Sequence, residues 1–80
     1  LKVDVEGHEM DVLAGARKTI ERDRPAVIAE IKKRNREAAD SFFDELGYTI
    51  HLVDAGKLKP LETSLKEYDG ARENFVFKPI

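Results

Sequence analysis

Carboxylates and an imidazole gather where the sequence's extended runs end. Asp4 and Glu6 stand two residues apart, so an extended chain through them sends both side chains to one face. His8 and Glu9 follow at once, at the mouth of a helical pattern. Glu30 interrupts an apolar run, and burying an unpaired carboxylate is costly, so it must face a cleft or meet a partner. In open parallel sheets ligands lie beyond the carboxyl ends of the strands, which is where these groups fall. The chemistry within their reach is ligand contact and, for His8, proton transfer. Asp4, Glu6, His8 and Glu30 also include the hard oxygen donors that suit magnesium. Their spacing is not diagnostic of any metal, and no metal is assigned.

Each group also has a structural reading. Asp4 is a suitable helix cap, Glu6 a solvated turn residue and His8 an exposed residue at a helix start. The run Lys32-Lys33-Arg34-Asn35-Arg36 carries four positive charges that would attract an anionic substrate or phosphate, or would simply form a solvated loop leading into a helix. Other signatures are absent. Gly56-Lys57 lacks the earlier glycine of a P-loop, and G-x-G-x-x-G, G-x-S-x-G and H-E-x-x-H do not occur.

The elements that position these groups follow from periodicity. Leu1–Val5 reads as a short strand ended by Glu6-Gly7. Met10, Leu13, Ala16 and Ile20 recur at helical spacing, predicting one helix over Glu9–Arg22. Arg22 and Arg24 fall near its end, where cations favour the dipole. Gly15 inside that helix costs roughly 1 kcal/mol against alanine, a cost that close approach of the helix to the sheet would offset. Pro25–Ile31 is nearly all apolar and reads as a central parallel strand covered by helices on both faces. Lys32–Glu37 is a charged connection. Ala38, Ala39, Phe42, Phe43 and Leu46 mark a second helix, which Gly47 would cap.

Tyr48–Val53 alternates, predicting a half-buried strand with Tyr48, Ile50 and Leu52 on one side. Asp54–Arg72 reads as a long loop, and Asn74–Lys78 as a closing strand. The expected fold is α/β and three-layered, with parallel strands and an antiparallel pair at one edge where no helix intervenes. Phe42, Phe43, Phe75 and Phe77 belong to the core, and His51 to a strand's surface or flank.

Composition narrows the function classes. Eighty residues allow a single unit, and a domain that small buries only about 60% of its unfolded surface. Fourteen basic against sixteen acidic residues, with no basic–aromatic interleaving, argue against a nucleic-acid partner. The absence of cysteine removes disulfides, a thiolate zinc site and a thiol nucleophile. No apolar run is long enough for a membrane span, and the expected location is the cytoplasm. Because the sequence starts at Leu1 inside a strand, the expectation is a piece of a longer protein.

Leu1-Lys2-Val3-Asp4-Val5-Glu6-Gly7-His8-Glu9, followed by Val12-Leu13-Ala14-Gly15-Ala16, resembles the K-x-D-x-E-G-x-E…V-L-x-G signature of the FkbM-type methyltransferases. Arg24-Pro25 leading into Val27–Ile31, Phe43 through Tyr48, and Asn74-Phe75-Val76 resemble later parts of that family, so the likeness spans nearly the whole chain. It implies the C-terminal half of a class I, Rossmann-like domain that uses S-adenosylmethionine to methylate hydroxyls of sugars or natural products. In that fold the last of seven strands is antiparallel and inserted near the edge, and the four strands read above would be the fourth to seventh.

The cofactor's glycine-rich loop and ribose-holding acid would lie upstream of Leu1, leaving the isolated chain inactive. By resemblance the catalytic candidates are Asp4 first, then Glu6, His8 and Glu30, orienting the acceptor hydroxyl and taking its proton. Glu9 and Lys32 are substrate-binding candidates. An unpaired Leu1–Val5 edge would favour a homodimer or aggregation. The rival reading is a non-catalytic α/β module that binds a partner through that edge or through the Lys32–Arg36 run. A receiver-like signalling domain is disfavoured, because no suitably placed phosphorylatable acid and lysine occur.

Overall fold

A computed structural model gives the protein's fold. It describes residues 1–3 and 7–80, so Asp4, Val5 and Glu6 lie outside the described residues.

The first helical pattern forms two helices, α1 (Glu9–Gly15) and α2 (Arg17–Asp23), where one was expected. The break falls at Ala16, whose φ of −95° and ψ of 2° leave the helical region. Gly15, a weak helix former, lowers the cost of bending there. Close approach does not explain that glycine, since a Cβ added to it would meet nothing within 4 Å. The bend leaves Leu13 and Ile20 both fully buried.

Arg24 ends α2 in the left-handed region at φ 49°, and its guanidinium reaches another helix. After strand β2 (Val27–Glu30) and a 3-10 turn at Lys33–Asn35 comes α3 (Arg36–Glu45), which ends before Gly47 at φ 73°. Arg24 donates hydrogen bonds to the carbonyls of Leu46 and Gly47, the latter at 3.1 Å, so its charge meets the carboxyl end of α3 rather than that of α2. It also stacks over Tyr48, 4.8 Å from the ring centroid, and the Tyr48 hydroxyl donates to Pro25 O at 2.7 Å.

The remaining strands are β1 (Lys2–Val3), β3 (Tyr48–Asp54), β4 (Lys57–Pro60) and β5 (Asn74–Pro79), in the sheet order β1-β2-β5-β3-β4. β1 and β2 are parallel, and the other pairs are antiparallel. The expected antiparallel partnership of β3 and β5 is present, but β5 lies between β2 and β3 rather than at an edge. The loop expected over Asp54–Arg72 instead contains β4. Ala55 and Gly56 form the two-residue turn, at φ 52° and 76°. Two successive positive φ values fit a type I′ turn, whose twist suits a hairpin, and alanine in place of the usual asparagine or aspartate obscured it.

Alternation along β2 shows where the core lies. Val27 and Ala29 are buried, whereas Ile28 is 47% exposed. Val27, Ala29, Phe75, Phe77 and Tyr48 join Leu13 of α1, Ile20 of α2, and Ala39, Phe42 and Phe43 of α3 in one cluster. All three described helices therefore cover the same sheet face. The opposite face carries the cross-strand row Lys2, Ile28, Val76 and His51. Neither the three-layer expectation nor that of a β2 covered on both faces holds for the described residues.

The charged connection is only partly solvated. Arg36 is 4% exposed, and its guanidinium donates to the carbonyls of Tyr68, Gly70 and Arg72 at 2.9, 2.9 and 3.0 Å while lying over the Tyr68 ring. It holds the β4–β5 connection onto α3, as does Asp40, which accepts from Leu65 N at 3.0 Å.

Candidate functional site

β2 ends at Glu30, and the site forms where the chain continues through Ile31 and the extended Lys32 into the 3-10 turn. Ile31 N–H donates to Glu73 O at 2.7 Å, extending the β2–β5 ladder by one bond beyond the Glu30–Asn74 pair. This register brings Glu73 beside Glu30. Lys32 reaches both, with Nζ 3.1 Å from Glu30 Oε1 and 3.4 Å from Glu73 Oε1. The hydrogen bond to Glu30 pushes the Lys32 ammonium well above its ordinary range, against the opposing effect of burial and with Glu73 adding to the rise. Lys32 therefore remains a cation at neutral pH, able to neutralise and position carboxylates but not to serve as a base.

Glu9 approaches Lys32 from α1. It is 1% exposed, and its Oε1 accepts from Lys32 N at 2.8 Å and from Asn35 Nδ2 at 3.0 Å. One carboxylate oxygen thus braces the start of α1 against the turn after β2. Glu9 Oε2 is buried with no partner among the described residues. Burial raises the Glu9 pKa, but the Asn35 and Lys32 hydrogen bonds and the Arg34 charge outweigh that effect and leave it below the usual value.

A pH dependence follows. A carboxyl group with a depressed folded-state pKa contributes stability above its unfolded pKa and loses it as pH falls through the folded value. Thermal melts from pH 7 to pH 3 should show the wild type losing a stability advantage over Glu9→Gln as the pH drops. A gap between the two that stays constant with pH would contradict the brace.

Of the sequence candidates, Glu30, Lys32 and Glu9 are brought together. His8 is exposed and faces its own helix, with Nδ1 3.7 Å from Asp11 Oδ2. Asp4 and Glu6 lie outside the described residues. Asn35 and Glu73 join the cluster although the sequence reading did not select them. Glu73 would have been found by pairing the closing strand with β2 as well as β3. The basic run is not a single patch, because Lys32 and Arg36 are engaged internally while Lys33 and Arg34 are exposed. No group of three or more metal-ligating side chains occurs among the described residues.

Two cavities among the described residues bear on the site. One, of about 170 Å³, is lined by Lys2, Val3, Ile28, Ala29, Glu30 and Asn74 beside the cluster. The other, of about 480 Å³, is lined mainly by Leu52, Pro60, Leu61 and Tyr68 together with Lys59, Glu62 and Thr63, and contains none of the cluster.

A mixed α/β sheet with carboxylates and a lysine at the end of a strand defines the class, a small α/β protein with a strand-end site. Residues 1–54 match the family model described as the methyltransferase FkbM domain, and the chain belongs to that family. The match runs from β1 through β3, so Asn74–Val76 lie beyond it, and it is shorter than the whole-chain likeness read from the sequence. No curated protein and no solved structure matches the chain. No helix among the described residues is long and apolar enough to cross a membrane.

Proposed function

We propose that this chain is the acceptor-side portion of an S-adenosylmethionine-dependent O-methyltransferase with a class I, Rossmann-like sheet. The observation that carries this reading is the family match over the segment that holds Glu9, Glu30 and Lys32. The sheet supports it, because β5 runs antiparallel between β2 and β3, as expected for the last strand of a seven-stranded sheet. The two edges differ in the same sense. β4 carries Lys57, Lys59 and Pro60, residues that discourage strand addition, whereas β1, Lys2–Val3, carries a single lysine and no proline. On this reading the sheet continues past β1, and further helices cover Ile28.

Neither of the two cavities described above offers a cofactor cradle. The cavity beside Glu30 is smaller than the roughly 300–1,000 Å³ of ordinary ligand sites. The larger cavity lacks the strand-end carboxylates and any glycine-rich phosphate or sugar loop. On this reading the cofactor is held by residues outside this sequence, and this chain's residues act on the acceptor. Glu30 accepts the hydrogen bond of the acceptor hydroxyl and takes its proton as the oxygen attacks. Lys32 and Glu73 fix the Glu30 carboxylate, and Asp4 and Glu6 belong to the same acceptor-orienting group. Alignment matters more than base strength in such a transfer.

Two measurements test the division of labour. Titrating S-adenosylhomocysteine into the 80-residue chain in a calorimeter should give no saturable heat, and micromolar affinity would contradict it. The coding DNA upstream of Leu1 should read in frame through a strand, a glycine-rich turn and an acid about twenty residues further on. A start codon directly before Leu1 would contradict the reading.

A further inference from the structure

We infer that Glu9 is a positioning residue for methyl transfer, fixing the Glu30 carboxylate at the end of β2 by way of Lys32. This role rests on the methyltransferase reading and deepens it, and it replaces the acceptor contact expected of Glu9 from the sequence. With 1% of its surface exposed, Glu9 offers an acceptor nothing to touch. What it offers is a fixed oxygen. Glu9 Oε1 accepts from Lys32 N at 2.8 Å and from Asn35 Nδ2 at 3.0 Å, so one atom holds both ends of the turn that follows β2.

Lys32 carries that restraint to the site. Its main chain is extended, and its side chain returns to the strand end, with Nζ 3.1 Å from Glu30 Oε1. A main chain pinned at its N–H limits where the ammonium can stand, and the ammonium in turn limits the carboxylate. The two side chains are only 21% and 32% exposed, so this pair is not a loose surface contact. A second contact ties the same segments. The Arg34 guanidinium lies so close over Gly7 that a Cβ there would stand 2.7 Å from Nη2. Glu9 and Arg34 thus lock the chain entering α1, which follows Asp4 and Glu6 in the sequence, to the chain leaving β2, which follows Glu30. On the methyltransferase reading the acceptor-orienting carboxylates come from both segments, and a misplacement of about 1 Å can cost roughly a hundredfold in rate.

The test uses the full-length gene product with labelled S-adenosylmethionine and a hydroxylated acceptor. Glu9→Met, close in size but without an oxygen, should lower kcat on the order of tenfold or more, with the acceptor KM within about twofold of wild type. Glu9→Gln keeps an oxygen that reaches both donors and should recover most of the rate. Should Glu9→Met not fold, Glu9→Asp, a methylene too short to reach them, takes its place with the same expected loss. In a Lys32→Met background the same Glu9 substitution should cost little more, because the relay is already gone. A raised acceptor KM with kcat unchanged would overturn the inference, as would a Glu9→Gln variant no better than Glu9→Met, or full additivity with Lys32→Met. Nitrogen-15 NMR of the 80-residue chain reads the relay without catalysis. The Lys32 ammonium signal should hold its place in Glu9→Gln and shift in Glu9→Met or Glu9→Asp, and a signal that stays put in all three would also overturn the inference. If the signal shifts as expected but wild type transfers no methyl group, the methyltransferase reading fails while the hold of Glu9 on Lys32 stands.

Discussion

Arg36→Met is expected to destabilise the protein by about 3 kcal/mol or more, as a hydrogen bond to a charged group contributes roughly 1.5–3 kcal/mol and each buried acceptor left unsatisfied costs a further 1–3. Arg36 gives three such bonds, to Tyr68, Gly70 and Arg72 carbonyls, from a side chain almost wholly removed from solvent. Methionine keeps most of the stem's packing and supplies none of the donors, so the loss reports on the clamp itself. Arg36→Lys should recover only part of it, because an ammonium lacks the planar fork that reaches three carbonyls at once. Urea unfolding checks both variants. A loss below about 1 kcal/mol for Arg36→Met would show that water replaces the guanidinium and that the 61–73 connection does not depend on it.

Phe43→Ala should be at least as damaging, at about 3–5 kcal/mol. Phe43 is fully buried, stacks on Phe77 at 3.8 Å between centroids, and meets Phe42 and Tyr48 edge-on or tilted at 5.1 and 5.4 Å. It is the contact through which α3 grips both β3 and β5. A domain of this length has roughly 4–12 kcal/mol of total stability, so the truncation removes a large share and can unfold the chain. If it does, Phe43→Leu provides the graded measurement, with a smaller loss and a cooperative melt retained. A midpoint drop of less than about 4 °C for Phe43→Ala would contradict the central place given to this ring.

The sequence was most legible where a period had to serve one buried face. Phe42, Phe43 and Leu46 marked α3, Tyr48, Ile50 and Leu52 marked β3, and Phe75 and Phe77 marked the closing strand. It was least legible where the outcome depended on pairing between distant segments. Nothing local to Asn74 indicates that β5 inserts beside β2, and that insertion brings Glu73 and Asn74 to Glu30. Ala55 hid a hairpin because alanine rarely adopts positive φ. The bend at Ala16 and the burial of Arg36 went unread because tertiary contacts on the far side of each residue decide them.

The candidate site divides along the same line. Glu30 was selected because a carboxylate within an apolar run needs a partner, and Lys32 is that partner. Glu9 was selected for its place at the helix mouth. Its burial against Lys32 N–H and Asn35 follows from the packing of α1 on the turn after β2, which no spacing reveals.

The most direct measurement is methyl transfer by the full-length gene product. Incubated with methyl-labelled S-adenosylmethionine and hydroxylated small molecules, the wild type should place label on an acceptor oxygen, and Glu30→Gln should lose most of that transfer while still binding S-adenosylhomocysteine. A wild-type product that binds no S-adenosylhomocysteine and transfers no label, or a Glu30→Gln variant as active as wild type, would contradict the account.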